Sequence, residues 1–440
     1  MTIKIAVLAG ILGAALVALA GVPSPVIAGA ADSLLTVDRC IARAVSRHPG
    51  LAAAADAAAA AAAVPDQRGA FPDPKLGFGY YIESPETRVG PMQYSLTLTQ
   101  TLPFFGKRGM AADVAGARAR EARSGYLLAL IDLTWRAKEA YYEYYRLYNV
   151  RATLEEEKQV LDHMQSVAQV KYASGTAGQQ DVLRAQLELS QVEDQLTENK
   201  RDIETVTARL VELLDLDPRA TLPPPGAGPD AAEPALATDT ADPDSLFARH
   251  AIHRPEIRAA FVAEERSELS ISLAKRDYFP DLTLGVQYVN VGRRDVDVPD
   301  NGKDIWQVIA GINVPIWFGS RGAAVDEAEA NRARARNDRA WVELRVRGQI
   351  RDALERVRAA QERVRLYEGV ILPQARQAYQ SAEAGYRAGT IGFLDYLDSE
   401  RMLLSTRKSY HGVVADLGKQ HAYLERVLGV DIRYADGEEG

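Results

Sequence analysis

The chain has 440 residues, 47% hydrophobic and 25% charged, with a formal net charge of −8 at pH 7 and a single cysteine. That length accommodates two or three ordinary domains or one extended one. The acidic balance argues against a nucleic-acid partner, and the lone Cys40 excludes any intramolecular disulfide.

Residues 1–30 read as a secretory signal: Lys4 precedes an apolar run starting at Ile5, and Ala28-Gly29-Ala30 offers a small-residue cleavage site. The run is short for a membrane span, which favours removal over an uncleaved inner-membrane anchor. Cys40 follows Thr36-Val37-Asp38-Arg39, which is too bulky and charged for lipoprotein processing. It is read as a packed residue of a short amphipathic helix.

A first repeat is expected over 31–216. After short helices come two alternating strands, 75–83 and 93–102. Leu76, Phe78, Tyr80 and Ile82 face one way, and Tyr94, Leu96, Leu98 and Leu102 likewise oppose Ser95, Thr97, Thr99 and Thr101. No proline occurs between Pro103 and Pro218, and a helical pattern fills 106–172. Such a helix would be ~100 Å long at ~1.5 Å per residue. A second helix, 179–214, carries a sustained heptad through Val182, Ala185, Leu189, Val192, Leu196, Asn199, Ile203, Val206, Leu210 and Leu213. The Pro- and Gly-rich stretch 217–243 reads as a solvated linker.

The second repeat, 244–430, restates this order with strands 281–290 and 305–316, a long helix 320–388 and a helix 393–428, before a tail at 431–440. Pro373 predicts a kink in that long helix. Its partner keeps the heptad register, but Ser399, Thr406 and Gln420 stand where the first copy has Ala185, Val192 and Val206. The repetition is explicit in the motifs. Tyr172-Ala173-Ser174-Gly175-Thr176 followed by Asp181 returns as Tyr386-Arg387-Ala388-Gly389-Thr390 followed by Asp395. Leu102-Pro103-Phe104-Phe105-Gly106-Lys107-Arg108-Gly109 returns around Val314-Pro315-Ile316-Trp317-Phe318-Gly319. A period of about 214 residues is too long for a solenoid unit and marks a duplicated half-protein.

Strands with one greasy face fit either a membrane barrel or a soluble sheet with one buried face. Four strands per chain cannot close a barrel, since the smallest need about eight, and lipid tolerates no open edge. A membrane reading therefore requires a barrel shared among subunits. Phe104, Phe105, Trp317 and Phe318, followed by Lys107, Arg108 and Arg321, suit a membrane–water boundary, with a plug at a domain junction as the alternative.

Both motifs, in both copies, at matching spacing, resemble those of the TolC-like outer-membrane efflux family almost end to end. The resemblance implies an α+β membrane protein: a homotrimer with a twelve-stranded transmembrane β-barrel, four strands per chain, continuing into a long α-helical coiled-coil periplasmic tunnel. It implies a periplasmic adaptor (membrane fusion protein), an inner-membrane transporter of RND or ABC type, and outer-membrane lipid as partners. It places a gate and cation-selective rings at the periplasmic tip, with Asp395, Asp398 and Tyr386 in them and Asp181 as a hydrogen-bonding partner from the neighbouring hairpin. The tip turns at Tyr172, Gly175, Thr176, Gly389 and Thr390 would meet the adaptor. Spacing alone leaves Asp395 and Asp398 open to a helix-dipole role. Ile391 stands where well-studied members carry an arginine, so closure is expected to rest on Tyr386 and apolar contacts. The Gly106-Lys107-Arg108-Gly109 corner is also similar to the heavy-metal CusC/CzcC branch. The expected function is a passive outer-membrane exit duct for small solutes or metal cations. Type I protein secretion, or a periplasmic coiled-coil adaptor, is the alternative.

Arginines between 332 and 365 interleave with Asp338, Glu343, Asp352, Glu355 and Glu362, as on a solvated helix face. Beyond His250-x-x-His253 the histidines form no ligand cluster. No nucleophile–base set, phosphate loop or metal spacing is present. The chain is read as no enzyme, with no cofactor and no metal.

Overall fold

The computed structural model describes residues 34–226, 228, 242–251, 254–295, 297 and 299–429. The expected signal, most of the Pro-rich linker, His253 and the tail lie outside these. Three short helices come first: α1 (Val37–Arg47), α2 (Pro49–Ala62) and α3 (Val64–Gly69). Thr36 caps α1 by accepting the Arg39 N–H, and Cys40, Ile41 and Ala44 form its buried face. Burial pushes the Cys40 thiol up to about 12, so it is an inert packing group.

Four principal strands make one antiparallel sheet in the order β1 (Lys75–Tyr80), β3 (Gly90–Leu102), β4 (Leu282–Val291), β5 (Ile305–Ile312). A two-residue β2 (Glu86–Thr87) pairs with the start of β3. The β3–β4 pairing joins the two repeats. Register aligns Leu76 with Leu98, Leu98 with Val286 and Val286 with Val308, and a second row runs Phe78, Leu96, Tyr288, Trp306. Both rows lie on one face, and it is exposed: Phe78 is 68% and Val308 80% accessible. Strand β5 ends at Ile312, short of the expected 316, leaving Val314 and Ile316 exposed but outside the ladder.

The prolineless stretch forms α4 (Lys107–Ala173), a continuous helix of 67 residues. It is followed by α5 (Gln179–Leu213), α6 (Pro243–His250) and α7 (Pro255–Arg276). The second long helix is not one helix. It divides into α8 (Phe318–Leu366), a π-helical turn (Tyr367–Ile371) and α9 (Leu372–Ala388), and α10 (Phe393–Leu428) returns beside it. Pro373 supplies the cause, since it has no N–H and its ring crowds the carbonyl four residues back. The Leu372 N–H reaches five back, to the Tyr367 carbonyl, so the interruption takes the form of a π-turn. No described helix is long and apolar enough to cross a membrane.

Heptad positions Ala185, Val192, Asn199, Ile203, Leu210 and Leu213 are buried on α5, and Tyr396, Val413, Leu417, Leu424 and Val427 on α10. Asn199 donates to the Leu147 carbonyl at 3.1 Å, tying α5 to α4. The α10 helix also lies along α4, through Lys138–Glu425 at 2.5 Å, Lys419–Glu143 at 2.5 Å and Arg426–Asp132 at 2.6 Å. The linker's first part departs from the solvated reading. Leu35 donates to Pro224 and accepts from Gly226, and the Tyr144 hydroxyl donates to the Pro223 carbonyl at 3.2 Å. These residues strap α1 onto α4 because Leu222 has an apolar cluster to join there.

Candidate functional site

At the far end of the hairpins the chain turns twice in the same way. Gly175 and Gly389 both take φ = +75°, the left-handed region that a side chain resists. The following threonine closes each helix. Thr176 N–H donates to the Lys171 carbonyl and Thr390 N–H to the Gly385 carbonyl, both at 2.9 Å. Each threonine hydroxyl donates to that same carbonyl at 3.1 Å. The Gly-Thr pair is thus a helix stop with a Schellman-type bond, doubled by the side chain.

Between the turns lies an aromatic stack. Tyr386 packs nearly parallel on Tyr396, ring centroids 5.3 Å apart, and edge-on to Phe393 at 5.6 Å. Tyr379 continues the stack at 5.8 Å from Tyr396, with their hydroxyls 3.3 Å apart. Lys171, on the last turn of α4, sits 3.9 Å above the Tyr386 ring and donates to the Tyr386 carbonyl at 2.8 Å. One lysine therefore joins the two hairpin tips by a cation–π contact and a hydrogen bond. Tyr386 is buried and its hydroxyl has no hydrogen-bond partner among the described residues. Burial, and behind it the charge of Asp181, pushes its phenol up. Ile391 packs against the same apolar cluster as Leu161, Met164, Ala185 and Leu397.

Asp181 and Asp395 sit in the first turns of α5 and α10. Asp395 and Asp398 are both exposed. Tyr172, Gly175, Thr176, Gly389 and Thr390 are exposed at the turns themselves. Three features here escape sequence reasoning: the Lys171–Tyr386 contact, a bridge from Arg401 to Glu188 on α5, and a buried Glu400. Each depends on which helices meet, and the only local signal is Arg401 standing one turn beyond Asp398.

At the sheet end, Phe104 stacks on Phe279 with centroids 4.5 Å apart, while Phe105, Trp317 and Phe318 are exposed. Gly106 has φ = +81°, and a Cβ there would strike the Arg276 guanidinium, which donates to the Phe105 carbonyl. Lys107 pairs with Asp281 at 3.0 Å, and Arg321 donates to the Asp277 carbonyl at 2.7 Å. Exposed aromatic side chains followed by anchored cations are suited to an apolar–polar boundary. Among the described residues no group of His, Cys, Asp and Glu is arranged to hold a metal ion.

The sequence matches the family described as outer membrane efflux protein over residues 40–215 and 248–430. The chain belongs to that family. It is 25% identical over 327 residues to the outer membrane protein TolC of Vibrio cholerae, covering 73% of each chain. It is 23% identical over 214 residues to the cobalt-zinc-cadmium resistance protein CzcC of Cupriavidus metallidurans, covering 45% of this chain and 47% of that one. The crystal structure of the outer membrane protein VceC from Vibrio cholerae shares the fold, with a TM-score of 0.73 over 89% of this chain and 96% of that chain at 21% identity. This efflux-family member resides in the outer membrane of a Gram-negative bacterium.

Proposed function

We propose that three copies of this chain form a passive exit duct, in which twelve strands close a transmembrane barrel and the helical hairpins form a periplasmic tunnel. One observation carries the reading: a sheet of four principal strands with an exposed apolar face and, among the described residues, unpaired outer edges at β1 and β5. Strands of about 9–11 residues cross a bilayer, and β4 has 10 and β3 13. Lipid forbids the open edges, so β5 of one copy pairs with β1 of the next. The exposed aromatic residues at 105, 317 and 318 lie at the lipid–water boundary.

The tip is the gate. The Tyr386 stack and the Lys171 contact hold it, and Asp395 and Asp398 line it as a cation-selecting ring. A periplasmic adaptor docks on the turns at Gly175 and Gly389, and an inner-membrane pump of RND type supplies the energy for small solutes or metal cations. The likeness to CzcC, a cobalt-zinc-cadmium resistance protein, favours the metal cations.

Planar-bilayer currents from the detergent-extracted mature protein test this reading. Discrete cation-selective steps with a shifted reversal potential across a salt gradient are expected. A species that stays dissolved without detergent and carries no current would overturn it.

A further inference from the structure

The two exposed aspartates after the second turn are not equivalent. Asp398 accepts from Arg401 at 3.2 Å, whereas Asp395 makes no ion pair among the described residues. Arg401 uses its other terminal nitrogen to bind Glu188 on α5, and the Glu188 side chain is only 8% exposed. A surface pair one turn apart is weak by itself, because water screens it and both side chains move. Here the guanidinium is held from behind. Glu188 is buried, and a buried carboxylate without its cation is strongly disfavoured, so Arg401 stays at the tip. Its fork geometry lets it serve both carboxylates at once. Lys408, further along α10, donates to Gln195 on α5 at 2.6 Å, so the same helix pair is fastened again above it.

We infer that Arg401 is the specificity-determining residue of the tip: it shares its charge between Glu188 and Asp398, so that of the two aspartates after the second turn Asp395 alone meets a passing cation with no cationic partner among the described residues. This rests on the duct reading above. Of the six aspartates in three copies, three are thereby held by a guanidinium and three have no cationic partner among the described residues. Arg401 also lies on the same helix as Asp398, so it travels with it. If α10 parts from α5, the hold from Glu188 is lost and the pair reverts to a weak surface one, so the difference between the two aspartates belongs to the closed tip.

The test is a comparison of Asp395→Asn, Asp398→Asn, Arg401→Gln and the double variant Asp398→Asn with Arg401→Gln, read as block of the bilayer current by lanthanum(III). Asp395→Asn is expected to weaken block about tenfold and Asp398→Asn less than about twofold, while Arg401→Gln tightens it about threefold or more. In the double variant that gain disappears. Equal losses from the two asparagine variants would overturn the assignment, and that pair leaves the bridge from Arg401 to buried Glu188 in place. Equilibrium binding of lanthanum(III) to the detergent-solubilised protein reads the same order without conduction. Silence from a species that stays dissolved without detergent, with unequal binding, would sink the duct and keep the role of Arg401; conducting bilayers with equal effects would do the reverse.

Discussion

The two hairpins descend from one duplicated unit, yet they are built to different standards. In the first, α4 runs unbroken and its seam with α5 is apolar at Ala185, Val192 and Val206. In the second, the long helix carries a π-turn ahead of Pro373, and the seam holds Ser399, Thr406 and Gln420 at the same places. What the second hairpin lacks in its own seam it finds against the first. Its returning helix α10 is pinned to α4 by Asp132–Arg426, Lys138–Glu425 and Glu143–Lys419, and at the tip Lys171 of α4 holds Tyr386 of α9. Glu143 shows how firm one pin is: although burial opposes it, Arg146 and Lys419 hold its carboxyl down at about 2. Duplication has let one copy become a strut and the other a part that leans on it.

The difference can be broken most sharply in the tip core. Leu161 on α4 is fully buried, whereas Leu403 on the α10 seam is half-buried. Leu161→Ala should cost ~2–5 kcal/mol, and Leu403→Ala about half that. Thermal unfolding of the two variants side by side reads the ratio, and equal losses would show the seams to be equally tight.

A comparable effect attaches to Glu400, which exists only in the second hairpin and is 2% exposed. Burial pushes its carboxyl up from an ordinary 4.5 to about 7, against the pull of Arg401 and Lys408. A folded value above the unfolded one means that the folded tip holds the proton more tightly. The stability it contributes is complete below about 4.5 and is lost as pH rises through about 7. Glu400→Gln should remove that slope and gain about 3 kcal/mol above neutrality. Amide hydrogen exchange of α10 at acid and at neutral pH checks this, and a slope unchanged in the variant would refute it.

The smallest effect sharpens what the copies still share. Gly175→Ala and Gly389→Ala should each cost about 1–2 kcal/mol, because both glycines hold the same left-handed turn. Unequal losses in thermal unfolding would show that the two stops have diverged as the seams have.

Much of this comparison is readable from sequence wherever a period or a local steric rule governs. Heptads give α5 and α10, alternation gives the strand faces, and Gly-Thr gives both turns. Pro373 announces an interruption but not its form, since a π-turn shifts the hydrogen bond rather than the residue. The strand order is not legible, because alternation leaves open whether β3 meets β4 or each hairpin stays apart. Nor is the strap at 222–226, where proline-rich composition suggests solvent but Leu222 has a cluster to join. Arg401 and Glu188 are far apart in the chain and meet only once α10 is laid on α5.

The open-edged sheet has one further consequence, and it concerns manufacture rather than transport. A lone copy is both plug and socket, with a greasy face and two strands each offering a free row of backbone donors and acceptors. Contacts of that head-to-tail kind close into a ring only if each addition turns by the right angle; otherwise they run on as a filament. In the proposed three-copy barrel, the angle added at each β5–β1 contact therefore decides whether the assembly stops at three. Any change that flattens the sheet should yield aggregates rather than a wider pore.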